Sequence, residues 1–108
     1  MTHDFAAQKA ETRAAYDEMS ADEPLPEMAD VDYFLVPSDP EADWRPLADA
    51  LTREGYVCEY IEDDGTPYLV ATLTDHAVSA ESLWIGEEVA TRLALDHGFA
   101  PDGWGLEA

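Results

Sequence analysis

Two β-rich runs, YVCEYIE at 56–62 and PYLVATLTD at 67–75, flank Asp63-Asp64-Gly65. Acid-acid-glycine between such runs is a turn signal, and so short a connection can only join antiparallel neighbours. This hairpin commits the middle of the chain to an antiparallel sheet, and the remaining segments must build around it. VDYFLVP, residues 31–37, is a third apolar run, stopped by Pro37, and it suits a central buried strand. Between it and the hairpin, Pro46 forbids an undisturbed helix from Pro40 but is harmless in a first turn. The pattern therefore predicts a helix capped by Asp43, with Trp44, Leu47, Ala48 and Leu51 as its buried stripe and Gly55 as its stop. Ser79 caps a longer helix that runs to His97 and ends at Gly98, and FAPDGWGLEA is left as a last short strand.

The order is helix, then β-α-β-β-α-β. It predicts an α+β fold of the ferredoxin-like kind: a four-stranded antiparallel sheet with two helices on one face, plus an additional N-terminal helix. One domain of 108 residues is expected, with the N-terminal helix at 1–19, an acidic linker at 20–30 and the core at 31–108. The N-terminal stripe of Phe5, Thr12, Tyr16 and Met19 is thin, so this helix must lie on something or fray. On the long helix, Leu83, Ile85, Val89, Ala90 and Leu93 share one half of the wheel and are expected in the core. Trp84 and Leu95 fall on the far side, with Thr91 between them. Either the N-terminal helix covers that side through Phe5 and Tyr16, or it is an apolar patch for another protein.

Charge excludes whole classes of function. With 25 acidic and 5 basic residues the net charge is −20. Such a chain repels phosphate backbones and anionic membranes, and it attracts basic partners. Solubility, or adaptation to a salty cytoplasm, is the alternative reading of the same acidity, and both readings predict acids spread over the whole surface. A single cysteine, Cys58, rules out an intrachain disulfide. The N-terminus has neither the basic start nor the apolar run of a signal peptide, and no stretch approaches the ~20 apolar residues of a membrane span. A cytoplasmic protein is expected.

No catalytic constellation is found. His3 lies near the N-terminus, His76 follows a strand beside Asp75, and His97 sits in a last helical turn where it meets the helix dipole. Cys58 reads as a small core hydrophobe. One cysteine cannot hold an iron–sulfur cluster, the histidines lack zinc spacing, and DVDYFLVPSDPE puts Phe34 and Leu35 where a calcium loop needs an acid and a glycine. No cofactor or metal is expected. The basic-aromatic motif of an RNA-binding sheet is missing from PYLVATLTD.

The closing motif Asp102-Gly103-Trp104-Gly105 sets the largest side chain between two glycines. Trp104 either closes the core or meets a partner. We expect its ring on the sheet, a local bend at Gly103 and Gly105, and one exposed edge. As a pure core residue its loss would cost ~3–5 kcal/mol.

Taken with Glu11-Thr12-Arg13 on the first helix, the acidic linker into VDYFLVP, and Gly55-Tyr56 entering a strand, this terminal motif resembles the RraB family of ribonuclease E regulators. The resemblance spans nearly the whole chain. It implies the ferredoxin-like fold with an added N-terminal helix, and a non-enzymatic role: small acidic proteins that bind the non-catalytic scaffold region of ribonuclease E and reduce cleavage of some transcripts. Some members continue past this motif into a strongly acidic tail, whereas this sequence ends at Ala108; if that tail carries binding in those relatives, different or weaker binding is expected here.

The candidate partner-binding residues are Trp104, Asp102, Trp84 and Leu95, with Glu62, Asp63 and Asp64 of the hairpin. The expected partner is a basic protein segment, with the chain a monomer or weak homodimer. The rival readings are a homodimer through the Trp84–Leu95 face, and a small-ligand binder or hydrolase on the open sheet face.

Overall fold

The computed structural model describes residues 3–107, so Met1, Thr2 and Ala108 of the expected domain lie outside the described residues. The elements run α1 (Phe5–Asp22), β1 (Met28–Pro37), α2 (Trp44–Arg53), β2 (Val57–Asp63), β3 (Thr66–Ala77), α3 (Ala80–Asp96) and β4 (Phe99–Glu107). The strands form one sheet in the order β2-β3-β1-β4, and every neighbouring pair is antiparallel. The fold is mixed α+β, three helices and a four-stranded antiparallel sheet.

Local chemistry explains the boundaries. The Asp43 carboxylate accepts from the Arg45 backbone N–H at the start of α2, and the Ser79 hydroxyl accepts from the Ser82 N–H at the start of α3. Gly98, at φ 78°, lets the chain leave α3 in the left-handed region. Three boundaries differ most from the sequence reading. α1 extends to Asp22, β1 begins at Met28 rather than residue 31, and β3 runs on to Ala77 rather than 75, because Met28 and Ala29 pair with Ala77 and His76, which lies within the strand; the expected linker at 20–30 shrinks to 23–27. A bulge absorbs the register change there: Asp75 sits at φ 49° and its N–H donates to the Asp30 carboxylate at 3.0 Å.

The core lies between the sheet and the layer of α2 and α3. Val31, Tyr33 and Leu35 of β1 point into it, as do Leu69 and Ala71 of β3, and they meet Leu47 and Leu51 of α2 and Leu83, Ala90 and Ala94 of α3. Each fully buried leucine contributes about 1.5–3 kcal/mol of apolar transfer. Trp44 stacks on Tyr60 at 5.2 Å between centroids and fastens α2 over β2. Two buried tyrosines fix α3 on the sheet: Tyr33 donates to the Leu83 carbonyl at 2.9 Å and Tyr56 to the Gly86 carbonyl at 2.5 Å. Burial, with Glu54 nearby, pushes the Tyr56 phenol up to about 12. Gly86 is the point of closest approach, since a Cβ there would overlap the Tyr33 hydroxyl.

The wheel of α3 is corrected in two places. Ile85 is 55% exposed, and Trp84, placed on the outer side, is only 7% exposed. α3 is sandwiched between the sheet and α1, so two of its faces are covered. α1 does supply the cover, but its own buried positions are Gln8 and Thr12 rather than Phe5 and Tyr16. The Gln8 amide donates to Thr91 Oγ1 at 2.9 Å, and the Thr12 hydroxyl donates to the Glu87 carboxylate. Phe5 lies partly exposed under the Arg92 guanidinium, 4.3 Å from its ring centroid, and Tyr16 packs at the margin of the core. The seam between these helices is therefore polar, each hydrogen bond adding only about 1 kcal/mol net.

Candidate partner-binding site

The DGWG motif lies on edge strand β4 and is built around a bulge. Pro101 pairs with Leu35 and Trp104 with Tyr33, so Asp102 and Gly103 together oppose Phe34. An uninterrupted alternation from Pro101 would carry Trp104 to the outer face. The extra residue returns it to the helix side, beside Tyr33. Gly103 takes φ 98°, which a side chain would resist, whereas Gly105 has no such backbone and an added Cβ there would meet only Phe34 Cε2 at 3.8 Å. The bend expected at both glycines belongs to Gly103 alone.

Trp104 is half-buried against the core, and its free side faces α1. Between them runs a groove of about 520 Å³, whose walls include Gln8, Glu11, Thr12, Glu87, Pro101 and Trp104. Glu87 is the unusual member, only 5% exposed yet ionisable. Burial raises its pKa, the Thr12 and Gln8 hydrogen bonds act against that shift, and the neighbouring Glu11 adds to it. Among the described residues no lysine or arginine lines the groove; its one basic side chain is His3, whose charge also acts against the shift of Glu87. An indole face beside carboxylates is an arrangement that accepts a cationic side chain, through cation–π attraction and charge-assisted hydrogen bonds.

Two expectations follow for these residues. Because Trp104 is only partly buried, Trp104→Ala should cost about 1–3 kcal/mol, below the figure for a full core tryptophan, as read from urea unfolding. For Glu87 the folded pKa is raised, so its neutral form suits the fold. Its contribution is complete below the ordinary carboxylate value of 4.5 and is lost as pH rises through the higher folded value. Glu87→Gln should therefore melt above the parent chain at neutral pH, with the gap closing as pH falls toward the ordinary carboxylate range. A gap independent of pH would show that ionisation of Glu87 is not what separates them.

The other sequence candidates scatter. Asp102, although two residues from Trp104, points to the opposite face of the sheet, where it shares a cleft with Asp63. Glu62 and Asp64 are exposed around the hairpin turn, and Glu62 accepts from the Tyr60 hydroxyl at 3.3 Å. Leu95 is 38% exposed, but Trp84 is buried, so the two do not form one open face. Sequence reasoning set Thr12 on the packing stripe of the first helix but missed Gln8 and Glu87. The available signal was that polar Glu87 and Thr91 lie on the same side of α3 as Trp84, a side that needed a cover.

Chemistry-bearing side chains elsewhere have structural partners. His76 Nε2 lies 2.9 Å from the Ser82 carbonyl and His97 Nδ1 2.8 Å from the Leu93 carbonyl. Burial pushes the Cys58 thiol up, away from the reactive thiolate. Among the described residues no group of three His, Cys, Asp or Glu side chains could hold a metal ion, and no helix is long and apolar enough to cross a membrane.

No curated protein matches the chain in sequence. A family model described as "Regulator of ribonuclease activity B" matches residues 9–106, from within α1 to the strand that carries Trp104. The chain belongs to the RraB family, the regulators of ribonuclease activity B.

Proposed function

We propose that this protein is a non-enzymatic regulator that binds ribonuclease E through a basic segment of its non-catalytic scaffold region, inhibits it, and so modulates RNA turnover in the cytoplasm. The observation that carries the reading is the family match over residues 9–106. The groove beside Trp104, with Asp4, Glu11 and Glu87 against a single histidine, His3, and no lysine or arginine among the described residues along it, supports a cationic protein partner. We read residues 1–108 as a single domain that acts as a monomer or weak homodimer. We also read the fold as ferredoxin-like, since from the β4 edge the strands run 4-1-3-2, the second and fourth joined to their predecessors through α2 and α3.

Calorimetry against the ribonuclease E scaffold region tests the reading. Binding that weakens from low to moderate salt is expected, because exposed charge pairs are screened over about 10 Å at 0.1 M salt. Absence of binding at both salt concentrations would remove the ribonuclease E role.

A further inference from the structure

The sheet has a second face, turned away from the helices, and its composition is unlike that of a solvated surface. Strand alternation assigns the residues: with Val31, Tyr33 and Leu35 inward, Asp32, Phe34 and Val36 face out. Their register neighbours extend the face. Phe34 pairs with Val70, Val70 with Glu59, Tyr68 with Ile61, and Val57 with Thr72. The centre is thus Phe34, Tyr68, Val70 and Ile61, with the Phe34 and Tyr68 rings edge to face at 6.4 Å. Val57 beside them is 62% exposed. Carboxylates surround this apolar strip: Asp30, Asp32, Glu59, Asp63, Asp102 and Glu107. Asp63 and Asp102 stand at the two ends of a cleft of about 250 Å³ whose floor is Phe34, Tyr68 and Ile61.

The charge distribution selects the occupant. All five lysines and arginines of the chain, Lys9, Arg13, Arg45, Arg53 and Arg92, are on helices, so among the described residues no lysine or arginine stands on the open face. A nucleic acid would bring phosphates against the ring of carboxylates, and a second copy would bring an identical ring. A segment that offers guanidinium groups to the carboxylates and to the aromatic rings, together with apolar side chains for the strip, satisfies both parts of the surface. We propose that the open sheet face is a docking surface for an extended, arginine-bearing protein segment, with an arginine seated over Phe34 and Tyr68 between Asp63 and Asp102. This site is separate from the Trp104 groove, and it does not depend on the partner being a ribonuclease.

The test is an amide-shift titration of the ¹⁵N-labelled full chain with a synthetic peptide of alternating arginine and leucine, and with its citrulline-for-arginine counterpart. Citrulline keeps the shape of arginine and removes its charge. Shifts should centre on Phe34, Ile61, Tyr68 and Asp102 for the arginine peptide and be much smaller for the citrulline peptide. The Asp63→Asn/Asp102→Asn variant alters only exposed positions and should weaken binding about tenfold or more. Tyr68→Leu should weaken it while leaving the melting temperature near that of the parent. Four outcomes would overturn the proposal: no binding at low salt, equal binding of the citrulline peptide, shifts confined to the helices or the Trp104 groove, or unchanged affinity in the Asn variant. Failure of the ribonuclease E calorimetry alongside success here would discard the ribonuclease reading and keep this surface.

Discussion

Gly86→Ala should lower stability by about 3 kcal/mol and the melting temperature by roughly 15 °C, although alanine is the better helix former by about 1 kcal/mol. The new methyl group has no room. It would overlap the Tyr33 hydroxyl and stand 2.9 Å from Leu73 Cδ1. The Tyr33 hydroxyl cannot yield cheaply. Tyr33 is 1% exposed and its hydroxyl is committed to the Leu83 carbonyl, so turning it away leaves a buried donor unpaired, at about 1–3 kcal/mol. Lifting α3 instead would stretch the Tyr56 bond to the Gly86 carbonyl. A double-mutant cycle isolates the cause. Tyr33→Phe removes the atom that collides, so the pair Tyr33→Phe/Gly86→Ala should be less destabilised than the sum of the single changes by about 1 kcal/mol or more. Strict additivity would mean that the clash is not the source of the loss.

Gly103→Val should cost about 2–3 kcal/mol, whereas deletion of Gly103 should cost markedly less. The contrast follows from the bulge. At φ 98° a β-branched side chain is strained. Valine must either carry that strain or abolish the bulge, and abolishing it would send Trp104 to the outer face, away from the core residues it packs on. Deletion acts differently. With Gly103 gone, Asp102 alone opposes Phe34, and Trp104 keeps its pairing with Tyr33 in a regular ladder. Urea unfolding of the two variants decides it. If deletion proves the more damaging, the bulge has a role beyond absorbing one residue.

The sequence displayed much of this fold because its signals are local. The hairpin is announced by Asp63-Asp64-Gly65, both core helices by their capping side chains Asp43 and Ser79, and the exit from α3 by Gly98. The errors share another origin. Helical periodicity detects apolar burial against one partner, but α3 has two. Its second interface is made by Glu87 and Thr91 against Thr12 and Gln8, and polar residues that are buried because they are hydrogen-bonded look like surface residues in a wheel. That is why the wheel sets Ile85 inside and Trp84 outside. The same blindness hid the groove, since its walls come from α1, α3 and β4, and their meeting is set by how α1 lies on the rest. Trp104 stood out from composition alone. Its position on the helix side of the sheet required the register, which a one-residue bulge inverts.

The hydrogen-bonded seam beneath α1 has a kinetic consequence. A helix fastened by a hydrogen-bonded seam and by its cover over Trp84 can come away while the sheet and the other two helices stay folded. Amide exchange should reveal this, with the α1 amides opening at a free energy well below that of β1 and β3. One wall of the groove is then an adjustable jaw, and the cavity beside Trp104 is the resting width of an opening that can widen to suit what enters it.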